Sequence, residues 1–144
     1  MIAVERVDFV SVPTRDAAQA RRFYVELLGL HESTTPDDVF PEFETSNVTL
    51  GVWQPEAVGM EFSPGSGIAV RVPDVEAARN ELEAAGVQFR GETMDTGVCH
   101  MAFCSDFDGN GIILHRRYAE PRPDGMGHTE SREREDERKA GAAS

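Results

Sequence analysis

The strongest structural signal in the chain is AFCSDFDGNGIILH, residues 102–115. Two apolar runs flank a cluster of residues that favour turns. Asp106 and Asp108 have short side chains that bond nearby backbone amides, and Gly109 supplies a positive φ that other residues resist. The pattern predicts a hairpin that joins two buried strands.

Working back from this hairpin, the first half of the chain predicts one strand, one helix and three short strands. A β-branched run at residues 4–12 is ended by Pro13. Asp16 is a good N-cap for an amphipathic helix, which stops at Gly29. The three strands that follow are predicted at residues 30–35, 39–45 and 48–54.

The second half repeats the same order of elements. A strand at residues 67–72 is followed by a helix that begins at Asp74 and ends at Gly86, and the later strands are predicted at 87–90, 98–105 and 112–118. A repeat of this length indicates a duplicated module rather than a solenoid. We therefore predict an α+β fold of two tandem β-α-β-β-β modules, at about residues 3–54 and 66–119, joined by a linker.

Together with FYVELLGL at residues 23–30, the hairpin resembles the most recognisable segments of the vicinal-oxygen-chelate superfamily. That superfamily includes glyoxalase I, extradiol dioxygenases, fosfomycin-resistance enzymes and bleomycin-resistance proteins, and the resemblance covers roughly residues 4–119. It implies that sheets of both modules face a shared cleft that serves as the active site, with the helices outside. Homodimers are common in the family, and exposed strand edges would allow one here.

The composition excludes several classes of partner. A net charge of −12 disfavours nucleic acid and anionic membranes, because both require basic patches. No segment has the apolar length of a membrane helix, and nothing at residues 1–12 has the pattern of a signal peptide. We therefore expect a soluble, cytoplasmic protein.

Two further features have simple expectations. Cys99 and Cys104 lie on one predicted strand with side chains on opposite faces, so we expect two reduced cysteines. From residue 120 to 144 the chain is rich in charge and in proline and glycine, which predicts a disordered, solvated tail.

The resemblance also implies where a metal would be held, on the first and last strands of each module. Those positions fall on Phe9, Gly51, Gly67 and Ile113, whose side chains offer no donor atom to a divalent ion. We therefore expect neither a metal nor another cofactor.

Loss of the ligands predicts an apolar, roomy cleft that binds an apolar or aromatic small molecule. Trp53 would be its main contact, the two glycines would leave space, and Met60 and Phe62 would lie over the mouth. The alternative is that these side chains fill the cleft as core. The expected ligand-binding residues are Phe9, Gly51, Trp53, Met60, Phe62, Gly67, Ile113 and His115.

Two histidines keep an enzymatic alternative open. His115 falls on the same strand face as Ile113, and His100 lies on the neighbouring strand, so either is a candidate general base. The first hypothesis is a metal-free binding protein of the glyoxalase/bleomycin-resistance type. The second is a glyoxalase- or dioxygenase-like enzyme, a lyase, isomerase or oxygenase, that uses His115 or His100 or a non-standard metal site.

Overall fold

The computed structural model describes residues 1–35, 38–65, 67–120 and 141. The predicted tail at residues 120–144 lies outside the described residues except at Glu120 and Gly141. Within the described part, no helix is both long enough and apolar enough to cross a membrane.

The first module forms a four-stranded mixed sheet in the order β1-β4-β3-β2. The pair of β1 with β4 at one edge is parallel, with Phe9 opposite Thr49 and Pro13 opposite Trp53, and the other pairs are antiparallel. The strands are β1 Phe9–Pro13, β2 His31–Glu32, β3 Glu42–Glu44 and β4 Thr49–Trp53.

The second module repeats this topology as β5-β8-β7-β6, again with one parallel pair, β5 with β8. The predicted hairpin is confirmed as β7 and β8 in antiparallel register, with Phe103 opposite Ile113 and Met101 opposite His115. The strands are β5 Ile68–Arg71, β6 Phe89–Asp95, β7 Cys99–Ser105 and β8 Gly111–Arg117. The predicted α+β class and the duplication are therefore confirmed.

Each module carries one helix with the predicted cap. In α1, Ala17–Arg21, the Asp16 carboxylate accepts from the Ala18 N–H, and in α2, Val75–Ala84, the Asp74 carboxylate accepts from the Ala77 N–H. The first helix continues as a π-helical turn, Arg22–Leu27. The N–H of Leu28 donates to the carbonyl of Phe23 there, one residue further back than in an α-helix.

Some strand boundaries differ from the predictions for identifiable reasons. The first strand starts at Phe9 rather than at residue 4, because its partner β4 starts at Thr49, directly opposite. Strand β6 runs on to Asp95 rather than ending at Arg90, because a register shift after Arg90 lets it pair with β7 again at Met94. Gly91, at φ +69°, supplies the backbone conformation that this bulge requires.

The two modules share a single core. One face of each sheet packs against its helix, and the buried residues of both modules form one apolar cluster. Cys99 and Cys104 are both buried as free thiols on opposite faces of β7. We call the other face of each sheet, which points away from its helix, the open face.

A buried polar network ties the last hairpin to the first module. Thr14 Oγ1 donates to Oδ2 of Asp108 over 2.6 Å, and the Arg15 N–H donates to Oδ1 of the same carboxylate over 3.0 Å. The amide of Asn110 donates to the carbonyl of Pro13, the last residue of β1. The turn at residues 106–110 therefore joins the two modules as well as two strands.

Candidate functional site

The four positions implied for a metal lie on the open faces in two contacting pairs. In the first module the Phe9 ring lies over Gly51, so that a Cβ on residue 51 would be 3.3 Å from Cδ2 of Phe9. In the second module the arrangement is reversed, and Ile113 lies over Gly67, with Cδ1 at 3.2 Å from the place of a Cβ. Each module thus pairs one large apolar side chain with one glycine.

This pairing explains why residues 51 and 67 are glycines, and it shows which side-chain atoms are present at the four positions. A side chain at either glycine would displace its neighbour, and none of the four residues has a nitrogen, oxygen or sulfur donor in its side chain. The residues present do not fit the divalent ion that the superfamily implies. In the described residues, no group of three or more His, Cys, Asp or Glu side chains is arranged to hold a metal ion.

Each open face is accessible at one of its ends. Phe9 is 58 % exposed, and Gly67 is exposed as well. Cavities of about 790, 570 and 670 Å³ occur in the described part of the chain, and none of these is lined by Phe9, Trp53 or Ile113. The space that the glycines leave is taken by the neighbouring side chains, and the enclosed cleft stays a prediction.

Trp53 lies two residues beyond Gly51, on the same open face, and is half-buried. Glu42 is directly opposite Gly51 on the neighbouring strand and is exposed. Glu44 is opposite Thr49, whose hydroxyl donates to its carboxylate over 2.8 Å. The open face of the first sheet therefore combines two aromatic rings with two carboxylates.

The two linker residues differ in their surroundings, and only Phe62 contacts the start of the first helix. Met60 follows a 3₁₀ segment, Pro55–Val58, and is 55 % exposed. Phe62 is half-buried, and the guanidinium of Arg15 lies over its ring at 3.8 Å from the centroid. The linker is held again at Gly65, whose N–H donates to Oδ1 of Asn110 over 2.7 Å.

The two candidate histidines are not brought together. His115 is half-buried on the open face of the second sheet, opposite Met101 and Arg71 in register. His100 pairs with Arg116 instead, so it points to the other face of that sheet. Its Nε2 lies 3.4 Å from Oδ2 of Asp95 and its ring lies beside that of Tyr118. Of the two, only His115 is positioned to meet a ligand on the open face.

Sequence reasoning missed the long-range part of the hairpin turn. Asp106 does bond nearby amides, those of Asp108 and Asn110, as predicted. Its carboxylate also accepts from the buried Tyr24 hydroxyl over 2.7 Å, while Asp108 bonds Thr14 and Arg15 in the other module. Burial first, and then the charge of Asp106, raise the pKa of Tyr24 above its usual range. Two aspartates and an asparagine within five residues are a signal for such a network, but its partners are set by the packing of the modules.

Comparisons with known proteins identify the family. The model of the Glyoxalase/Bleomycin resistance protein/Dioxygenase superfamily matches residues 6–114. Among the curated proteins nothing matches.

Solved structures resemble this chain over most of its length. TnmS3, an antibiotic binding protein from Streptomyces sp. CB03234, is 27 % identical, with a TM-score of 0.67 over 81 % of this chain and 99 % of that one. A glyoxalase/bleomycin resistance protein/dioxygenase from Nocardioides is 18 % identical, with a TM-score of 0.67 over 88 % and 93 %. Lactoylglutathione lyase from Agrobacterium tumefaciens is 13 % identical, with a TM-score of 0.66 over 78 % and 93 %. Duplicated topology, matched family model and structural likeness agree, and the chain belongs to the Glyoxalase/Bleomycin resistance protein/Dioxygenase superfamily.

Proposed function

We propose that this protein is a metal-independent binding protein for an apolar or aromatic small molecule. The observation that carries the proposal is the replacement of the four ligand positions by Phe9 over Gly51 and Ile113 over Gly67. A surface built in this way offers ring and methyl contacts to a ligand. It offers no side-chain donor atoms that could hold a Lewis-acidic metal ion. The likeness to TnmS3, at 27 % identity, supports binding over turnover.

The ligand would lie on the open faces, with Trp53 as its main contact. A large rigid ring supplies contact area at little cost in conformational entropy. Phe9 and Ile113 would pack beside the ligand, His115 would supply a hydrogen bond, and Met60 and Phe62 would cover the entrance. Glu42, exposed next to Gly51, would favour a ligand that also carries a positive charge or a hydrogen-bond donor.

A second copy of the chain would close this surface. The open face of the first sheet carries Glu42 and Glu44, and that of the second sheet carries Arg90 and Arg117, opposite Phe103 and Cys99 in register. Two copies related by a twofold axis would place each acidic face against a basic one. The exposed Phe9 would then be covered. Light scattering on the wild type should give a molar mass twice that of one chain. In the Phe9→Glu variant, the measured mass should fall toward that of a single chain.

Binding is tested by fluorescence, because Trp53 is the one tryptophan of the chain. A panel of aromatic and cationic aromatic compounds should include at least one that changes its emission saturably. The Phe9→Ala variant should bind that compound more weakly. The Tyr118→Phe change is remote from the open faces and should leave the binding of the compound unchanged. An emission that no compound changes, with Trp53 inaccessible to a quencher, would favour side chains that simply fill the site.

The enzymatic alternative predicts different results. About one zinc, nickel, iron or manganese per chain in elemental analysis, lost in His115→Ala, would contradict metal independence. Conversion of the bound compound by the wild type, abolished in His115→Ala, would replace a binding function by catalysis with His115 as base.

A further inference from the structure

The duplicated fold creates two equivalent junctions between the modules, and only one of them is filled. At the first junction the β7–β8 turn lies against the end of β1. Asn110 donates to the Pro13 carbonyl, and the Asp108 carboxylate accepts from Thr14 and from the Arg15 N–H. A carboxylate and an amide on one turn therefore bind the end of the neighbouring module's first strand.

At the second junction the equivalent partners are the β3–β4 connection, residues 45–48, and the end of β5. This connection is one residue shorter than the β7–β8 turn and is bonded internally, with Thr45 Oγ1 accepting from the Asn47 and Val48 N–H groups. No hydrogen bond among the described residues joins it to β5. A cavity of about 570 Å³ lies between the two instead.

The described residues that line this cavity are mostly apolar and include one charged side chain. Leu30, Leu50, Ile68 and Val70 provide the apolar part, and Leu50 is only 2 % exposed. Thr45, Ser46 and Asn47 contribute polar groups. Among the described residues Arg71 is the one charged member of this lining, in a chain with a net charge of −12, and it also lines the cavity of about 790 Å³. The volume falls in the range of about 300–1,000 Å³ that is typical of small-molecule sites.

The backbone of β5 adds one donor and one acceptor at the same place. The Val72 N–H donates to the His115 carbonyl, so the strand alternation turns the N–H and carbonyl of Arg71 away from β8. This is the free edge of the sheet, because among the described strands β5 pairs only with β8. At the first junction the equivalent carbonyl, that of Pro13, is bound by Asn110. Among the described residues, the Arg71 guanidinium has no hydrogen bond or ion pair.

We propose that the second junction is a binding site for an apolar carboxylate at the free edge of β5, with a lining that includes none of Phe9, Trp53 and Ile113. The carboxylate takes the place that Asp108 occupies at the first junction, bound by the guanidinium and N–H of Arg71. At the first junction, the Thr14 hydroxyl and the Arg15 N–H donate to Asp108. The equivalent residues at the second junction are Val72, which has no hydroxyl, and Pro73, which has no N–H. Arg71 must therefore supply the hydrogen bonds to the carboxylate. The alkyl or ring portion packs against Leu30, Leu50, Ile68 and Val70.

Sodium decanoate, below its micelle concentration, is the probe. In methyl-labelled protein it should shift the resonances of Leu30, Leu50, Ile68 and Val70 saturably. Arg71→Glu should weaken binding roughly tenfold or more, which corresponds to at least about 1.4 kcal/mol. Arg22→Glu is the matched control, an exposed arginine of the first helix that lines neither this cavity nor the one of about 790 Å³ that Arg71 also lines, and it should leave decanoate binding unchanged.

A second variant tests the cavity itself. Val48→Trp adds a ring to the lining and should abolish decanoate binding while leaving the unfolding transition intact. Three outcomes would overturn the proposal: no saturable binding to the wild type, equal binding in Arg71→Glu and wild type, or shifts confined to Met101 and Ile113 on the open face of the second sheet. Since Trp53→Phe should leave decanoate binding unchanged, failure here is distinguishable from failure of the proposed open-face site.

Discussion

The Tyr24 hydroxyl donates to Oδ2 of Asp106 over 2.7 Å, and this buried hydrogen bond joins the first helix to the last hairpin. Tyr24 is 1 % exposed and lies in the π-helical turn. Its ring stacks on Phe43 and meets Phe23 edge-on. The Tyr24 ring therefore packs in the core of the first module, while its hydroxyl bonds the β7–β8 turn of the second module.

Tyr24→Phe should lower the free energy of unfolding by about 1–3 kcal/mol, because it leaves a buried acceptor with one donor fewer. Urea denaturation measures this loss. Tyr118→Phe is the matched control, since the Tyr118 hydroxyl donates to the exposed Asp95 carboxylate, and it should cost less than about 0.5 kcal/mol. Equal losses in the two variants would contradict the importance of the buried bond.

Thr14→Val should also cost about 1–3 kcal/mol, because the Asp108 carboxylate would lose its shortest hydrogen bond while remaining buried. Thr49→Val removes a hydroxyl that donates to the half-buried Glu44 and should cost less. Both values come from chemical denaturation at neutral pH. A smaller loss for Thr14→Val than for Thr49→Val would show that Asp108 does not hold the modules together.

Gly51→Ala should disturb the open face through Phe9. The added Cβ would be 3.3 Å from the ring, so the exposed ring must move away, and the emission of Trp53 on the same face should change. Phe9→Ala should remove the conflict, so that Gly51→Ala has little further effect in that background. Additive effects in this double-mutant cycle would contradict the contact.

Stability should fall at alkaline pH. Burial raises the pKa of the Cys104 thiol to about 11 and also raises that of Tyr24, so both groups are held neutral in the folded state. Their contribution is complete below the unfolded pKa values and is lost as the pH rises through the folded ones. Above about pH 9, the unfolding free energy should fall by up to about 1.4 kcal/mol per pH unit for each titrating group. Cys104→Ala should reduce this slope between pH 9 and 11, and an unchanged slope would contradict the assignment.

Arg15→Ala should loosen the linker. Its guanidinium lies 3.8 Å from the Phe62 ring centroid, a contact worth about 0.5–1 kcal/mol at an exposed site. Amide hydrogen exchange should become faster at Phe62, while Gly65, bonded to Asn110, should keep most of its protection. Arg22→Ala, which removes a similar contact with Phe107, should leave the linker unchanged.

Local signals in the sequence were sufficient for the topology. Asp16 and Asp74 cap the helices, Gly29 ends the first, and the hairpin turn at Gly109 has the predicted positive φ of +87°. These features depend on a few neighbouring residues, which the sequence contains directly.

The site was less predictable because it depends on contacts between side chains of different strands. Two glycines suggested empty space, but space at Gly51 is decided by the Phe9 rotamer on the neighbouring strand. The alternation of β7 puts His100 on the face opposite to His115, although the two strands are neighbours. The bonds of Asp108 to Thr14 could not be predicted, because the packing of two modules brings the residues together.

The shared core has a consequence for the origin of the fold. Core residues of both modules form one cluster, so half of the chain alone would expose its side of that cluster to water. A single module could bury this surface against another copy of itself, and such a pair would have two identical junctions. Two modules in one chain allow the junctions to differ, and here one is filled by Asp108 and Asn110 while the other has a cavity of about 570 Å³.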